Sequence, residues 1–156
     1  MSNFQAALPR QLVIFRVAGT QYGLDIDAVE EILPAALVVI LPGAPNGVLG
    51  LVDVRGKAIP LFDLHWKFSV ATPERTLDTR FVVVRTHDGP VALRVDSVDE
   101  VVSCPANEFQ SVSTPGHPAG LGYLNGVYRH GEELVLWADA SRLVPSGVAR
   151  AAQAAA

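Results

Sequence analysis

Apolar and polar residues alternate in short runs along most of this chain, and glycine, proline or aspartate interrupts each run. Period-two alternation is the signature of half-buried strands, not of helices. Leu12-Val13-Ile14-Phe15 opens the first strand, and Gly19-Thr20 turns the chain into Tyr22 to Ile26. Val48 to Val54 and Ala58 to Phe62 flank the tight turn Arg55-Gly56-Lys57, where glycine supplies a positive φ at low cost. Phe81 to Arg85 and Val91 to Val95 flank Asp88-Gly89, a strong hairpin signal. Tyr123 to Tyr128 and Glu133 to Trp137 flank Gly131. The pattern predicts about ten short strands, as in a sandwich or small barrels. Pro60 lies inside a strand and predicts an edge or bulge there, because proline cannot donate to a ladder. Helical periodicity is scarce: one turn is expected at Ala28 to Leu33 and one at Asp139 to Leu143.

The chain also repeats itself. A shift of 69 positions lays Leu24 to Ile32 on Leu93 to Val101. Leu24, Asp27, Val29 and Glu31 then meet identical residues, and Val13 to Phe15 falls on Val82 to Val84. Gly50 and Asp63 have the same separation as Gly126 and Asp139. Several matches in one order predict two similar β-subdomains. The expected domain covers 10–146, with subdomains at 10–69 and 79–146. The polar, proline-containing stretch between them reads as a linker. The alanine-rich tail, 147–156, is expected to be disordered.

Composition removes several function classes. The 156 residues carry 12 Lys+Arg against 16 Asp+Glu, a formal net charge of -4. A nucleic-acid binder needs a basic face, so none is expected. The single cysteine, Cys104, excludes an internal disulfide framework and a multi-cysteine zinc site, and a reducing cytoplasmic setting fits it. The longest apolar run, Ala35 to Leu41, is closed by Pro34 and Pro42. That is far short of the roughly 20 residues a membrane span needs. The N-terminal residues have no basic segment leading into an apolar one, so no signal peptide is expected.

Catalytic signatures are missing. The glycine-rich stretch Gly120 to Gly126 lacks dinucleotide spacing and precedes a strand. His65, His87, His117 and His130 lack paired metal spacing, so surface or loop positions are the plainer reading. Asp25 and Asp27 share one face of a strand, which amphipathicity explains without a metal. Cys104 has no activating neighbour in sequence and is expected to be buried or incidental.

Gly50-Leu51-Val52-Asp53-Val54-Arg55-Gly56-Lys57-Ala58-Ile59-Pro60-Leu61-Phe62-Asp63-Leu64, followed by Lys67-Phe68, resembles the central motif of CheW-like coupling proteins. Tyr22 to Ile26 with Val29, Glu31 and Ile32 resembles that family's upstream motif, and Leu93 to Val102 resembles its second-half segment. The resemblance runs from about Leu12 to Leu143. It implies an all-β fold of two small five-stranded SH3-like β-barrel subdomains around a shared hydrophobic core, with one or two short helices. It implies a non-catalytic adaptor, without cofactor or metal, that joins the cytoplasmic tip of methyl-accepting chemoreceptors to the regulatory domain of a CheA-type histidine kinase. The protein would be cytoplasmic and recruited to membrane-associated receptor arrays, without inserting in the membrane.

By motif, Arg55 falls on the family arginine linked to coupling. A structural arginine bracing its turn, or pairing with Asp53 or Asp63, is the plainer alternative. Val29 and Glu31 fall near the receptor-facing groove, with core packing and solvation as their plainer readings. Gly50 and Val101 fall on positions tied to partner contact, although backbone room and core packing account for them equally. Asp53 stands where the family has asparagine, His65-Trp66 replaces a basic residue, and Ala92 replaces a glycine. An exposed Trp66 would be an interface anchor. The alternatives are a coupler of a non-flagellar pathway (surface sensing or twitching motility), an inhibitor of array assembly, and, remotely, a metal-dependent hydrolase using Asp25, Asp27, Asp63, Asp96 and Asp139.

Overall fold

The structure, a computed structural model, describes residues 10–111 and 122–150. Among the described residues, eleven strands form two sheets. In chain order they are β1 (Arg10–Val17), β2 (Thr20–Asp25), β3 (Val29–Pro34), β4 (Val48–Val54), β5 (Lys57–Asp63), β6 (Arg80–Thr86), β7 (Gly89–Val95), β8 (Ser97–Cys104), β9 (Phe109–Ser111), β10 (Leu124–His130) and β11 (Glu133–Ala138). Two short helices, α1 (Leu64–Lys67) and α2 (Ala140–Leu143), follow β5 and β11. The all-β expectation therefore stands, with one sheet of five strands and one of six.

Neither sheet follows the sequence halves 10–69 and 79–146. The first sheet runs β8-β1-β2-β11-β10-β9, and the second runs β3-β6-β7-β5-β4. Each repeat thus lends its first hairpin to the sheet of the other. Two parallel joints make the exchange: β11 pairs with β2, and β5 pairs with β7. Trp137 faces Gly23 in one joint and Leu61 faces Ala92 in the other, which are equivalent positions of the two repeats. β7 covers only Leu61 to Asp63 of β5, so Pro60 lies where that side needs no donor.

The reason lies in β1 and β6. Both are buried on both faces, so they read as continuous apolar runs. Leu12 and Ile14 of β1 point into the core of the first sheet, with Val135 and Tyr128. Phe81 and Val83 of β6 point into the core of the second, with Val52 and Leu61. Their other faces, Phe15 and Val17 of β1 and Val82 and Val84 of β6, meet in one central cluster with Tyr22, Leu24, Phe62, Leu93 and Leu143. A leucine or phenylalanine fully buried in this way contributes roughly 1.5–3 kcal/mol relative to exposure.

The repeat extends to small details. Asp63 Oδ1 accepts from the His65 amide and caps α1, and Asp139 Oδ1 accepts from the Ser141 amide and caps α2, both at 3.0 Å. The β3–β6 ladder skips Glu30, and the β1–β8 ladder skips Asp99, its repeat mate. Each bulged acid pairs with an arginine from the other repeat: Arg85 to Glu30 at 3.7 Å and Arg16 to Asp99 at 2.9 Å. The His65 ring is buried between two carboxylates, with Nδ1 3.1 Å from Asp63 and Nε2 2.8 Å from Asp96. Asp96 accepts a hydrogen bond from the Ala18 amide at 2.8 Å, which fixes it on the β1–β2 turn beside the His65 ring.

Three expectations are corrected. His65, expected at a surface or loop position, is buried on α1 between Asp63 and Asp96. The turn of helix expected at Ala28 to Leu33 is strand β3, preceded by a single 3-10 turn at Ile26–Ala28. Its residues alternate in exposure because successive side chains point to opposite faces of the sheet, and the ladder with β6 outweighs the weak helical signal. The tail does not begin as loose chain at 147. Val148 and Ala149 are buried in the central cluster, and Arg150 pairs with Asp88 at 3.2 Å. Residues 151–156 lie outside the described residues.

Tyr22 stacks between Phe15 and Phe68, with ring centroids 5.7 and 4.6 Å away. Burial pushes its phenol up from the ordinary 10.0 to about 12. The unfolded phenol ionises first, so above its ordinary value the unfolded state binds fewer protons. Stability should therefore hold below pH 10 and fall as pH rises through about 12. Urea unfolding of wild type and Tyr22→Phe across this window should show a shallower decline in the variant; equal slopes would refute the assignment.

Candidate functional site

The β4–β5 hairpin closes through two residues, Arg55 and Gly56, both at positive φ (53° and 84°). This is the signature of a type I′ turn, which matches the twist of the flanking strands. The Gly56 amide donates to Asp53 Oδ1 at 2.8 Å. Asparagine would offer the same oxygen, so Asp53 preserves the turn chemistry of the family motif. Arg55 is another matter. A left-handed conformation costs an L-residue roughly 1–2 kcal/mol, and asparagine or glycine adopts it more readily. The turn therefore holds a long cation in a place that backbone preference alone would not assign to it.

The Arg55 side chain is 81% exposed, and its Nε lies 3.1 Å from Glu31 Oε1 on β3. Neither Asp53 nor Asp63 is its partner: Asp53 serves the turn, and Asp63 serves α1, His65 and the Thr72 hydroxyl. β3 and β4 are opposite ends of the second sheet, so the pair marks the place where that sheet curls round to bring its edges together. The first sheet has an equivalent contact, His130 Nε2 to Glu100 Oε1 at 3.7 Å, between β10 and β8. That contact is an ion pair only when the imidazole is protonated.

The other candidates divide. Val29 and Glu31 share β3, with Val29 half-buried against the central cluster and Ile32 exposed beside them. Val101, exposed on β8, is the repeat mate of Ile32 and lies in the other sheet. Motif reasoning singled out Val101 and not Ile32, although the 69-residue shift pairs them and both are exposed. Trp66 is 46% exposed on α1, edge-on to Phe62 at 5.9 Å. A Cβ added at Gly47 would come within 2.6 Å of both rings. Gly50 has a packing explanation: a Cβ there would lie 2.3 Å from the Val39 carbonyl oxygen. Its counterpart Gly126 meets Gln110 O at 2.6 Å, so both glycines admit a crossing chain segment.

Of the aspartates of the hydrolase alternative, Asp63 and Asp96 flank the buried His65 ring on opposite sides, and each also has a structural contact. Asp25 pairs with Arg10, Asp96 holds the Ala18 amide, and Asp63 and Asp139 cap separate helices. No cluster of three metal-ligating side chains occurs among the described residues. Burial pushes the Cys104 thiol up, away from the reactive thiolate. No helix among the described residues is long and apolar enough to cross a membrane.

The CheW-like domain family model matches residues 11–147. The chain is 30% identical over 142 residues to the chemotaxis protein CheW of Treponema pallidum, covering 87% of this chain and 82% of that one. It is 26% identical over 137 residues to the chemotaxis protein CheW of Klebsiella aerogenes, covering 88% and 82%. Its fold is similar to the crystal structure of the scaffolding protein TtCheW from Thermoanaerobacter tengcongensis, with a TM-score of 0.80 and 25% identity over 90% of this chain and 96% of that one.

Two variants separate packing from exposure. Gly50→Ala should cost about 1–3 kcal/mol through overpacking against Val39. Arg55→Asn should leave stability unchanged or raise it by up to about 1 kcal/mol, because asparagine suits the turn and an exposed ion pair contributes little. Urea denaturation measures both, and a large loss at Arg55→Asn would make the arginine a structural brace.

Proposed function

This chain belongs to the CheW-like domain family, and from that premise we propose that it works as a non-catalytic adaptor. The family couples chemoreceptors to the kinase CheA. In this reading the chain joins the cytoplasmic tip of a methyl-accepting chemoreceptor to the regulatory domain of a CheA-type histidine kinase, within membrane-associated arrays. The observation that carries it is the family match across residues 11–147. The chemistry of the hairpin supports it. A guanidinium held on a short, rigid turn presents five donors with little conformational entropy to lose on binding. Arg55 is thus the central contact, Glu31 orients it, and Val29, Ile32 and Val101 supply apolar area on the outer strands. Trp66 is a separate anchor on α1. Gly50 acts by position, through Val39, without touching a partner.

Asp25, Asp63, Asp96 and Asp139 are each engaged in structural contacts, which argues against a hydrolytic role, and nothing favours the non-flagellar or inhibitory readings over ordinary coupling.

Calorimetric titration with the kinase regulatory domain and with a receptor-tip fragment from the same cell tests the proposal. Saturable binding with Kd in the nanomolar to micromolar range, on the order of −12 to −8 kcal/mol, is expected. Arg55→Ala should weaken one of the two partners by roughly tenfold or more while unfolding as the wild type does. Flat titrations with both partners would defeat the adaptor reading.

A further inference from the structure

The two repeats differ where the last strand of each runs into its helix. The Asp63 amide donates to the Gly47 carbonyl, and the Asp139 amide donates to the Tyr123 carbonyl, both at 2.8 Å. Gly47 and Tyr123 are therefore equivalent positions, and so are Trp66 and Arg142. In the first repeat Trp66 stands edge-on to Phe62 and hard against Gly47. In the second the matching residues are Arg142, Ala138 and Tyr123. A cation replaces an indole ring there, and a cavity of about 370 Å³ opens beside it.

Both helices contribute to this cavity. Lys67 comes from α1, Ser141 and Arg142 come from α2, and Ser146 comes from the segment after it. No Asp or Glu among the described residues lines it. The Lys67 ammonium sits over the Tyr123 ring, 5.8 Å from its centroid, and no described carboxylate pairs with it. Arg142 stands 3.6 Å from Asp139 through Nε, and its Nη1 donates to the Gly122 carbonyl at 3.3 Å. Asp139 is already engaged by the Ser141 amide. In a chain of net charge -4, two cations opening on a cavity free of carboxylates are a local reversal of sign. Tyr123 and Val144, both buried, give the cavity an apolar wall. Two cations and two hydroxyls beside an apolar wall describe a site for an amphipathic anion.

We propose that this cavity binds a small phosphate monoester. Lys67 and Arg142 hold the phosphate, Ser141 and Ser146 donate to its oxygens, and the esterified group lies against Tyr123 and Val144. A phosphate monoester carries roughly two negative charges at neutral pH, so it matches both cations. A carboxylate would leave one of them uncompensated. Hydrogen bonds from a guanidinium or an ammonium to an anion are stronger than neutral ones, and an arginine fork fits phosphate oxygens. The volume falls in the range of small-molecule sites, roughly 300–1,000 Å³, and a bare phosphate would leave the apolar wall unused. None of the candidate partner residues lines the cavity, so the site stands independently of the adaptor reading.

The test titrates the full chain with phenyl phosphate, inorganic phosphate and benzoate, followed by calorimetry and by amide NMR. Phenyl phosphate should saturate with Kd at or below about 1 mM and shift the amide signals of Lys67, Ser141 and Arg142. Inorganic phosphate and benzoate should each bind at least about tenfold more weakly. Lys67→Gln and Arg142→Gln should each weaken phenyl phosphate by about tenfold or more, with thermal unfolding unchanged. Arg142→Trp, which copies the first repeat, should fill the cavity and abolish binding. Should that variant fail to fold, the two glutamine variants carry the same expectation. Benzoate binding as tightly as phenyl phosphate would overturn the phosphate assignment. Inorganic phosphate binding as tightly would overturn the monoester. A flat titration with phenyl phosphate at millimolar concentration, or binding that both glutamine variants leave intact, would overturn the site.

Discussion

The two-sided burial of β1 and β6 is the constraint on which the rest of this structure depends. A strand that must hide both faces needs a core on each side. One core comes from its own curled sheet and the other from the cluster shared between the sheets. Two repeats standing apart would leave Phe15, Val17, Val82 and Val84 in water. Exchanging first hairpins brings these four residues into a common interior. The parallel joints β2–β11 and β5–β7 are the backbone counterpart of that exchange.

The exposed features follow from the same arrangement. With the central strands committed to burial, variation is confined to outer strands, turns and the segments beyond them. Arg55 and Glu31 meet because the second sheet closes on itself, and His130 and Glu100 meet in the first for the same reason. The two ends of the molecule then diverge in chemistry while keeping one backbone plan. An arginine turn belongs to one end, and a histidine belongs to the other. A duplicated fold specialised in this way can present different surfaces without altering its core.

Much of this was legible beforehand. The strand pattern and the hairpin turn at Arg55-Gly56 are local matters of alternation and φ and appear where expected, and the next hairpin turns one residue early, at His87-Asp88, with Gly89 opening β7. The repeat was visible as a 69-residue shift, and its second part, Gly50 with Asp63 against Gly126 with Asp139, proved to mark equivalent crossings and helix caps. The candidate site was less legible. Gly50 matched a motif tied to binding, but its neighbour across the edge, Val39, comes from a separate loop. The plainer alternative for Arg55 paired it with Asp53 or Asp63, but the carboxylate it meets, Glu31, lies on the far edge of its own sheet. The start of the tail was misjudged because alanine-rich sequence says nothing about whether the core has room for Val148 and Ala149.

The chain alone determined which residues face inward, where it turns, that it contains two copies of one unit, and the family to which it belongs. These depend on spacing between neighbours and on motif identity. Only the tertiary structure decided which hairpin joins which sheet, which carboxylate meets Arg55, and that Lys67 and Arg142 line one cavity. Period-two alternation assigns each residue a face. It carries no record of which sheet will cover that face, because strands from either repeat satisfy the same hydrogen bonds and bury comparable apolar area.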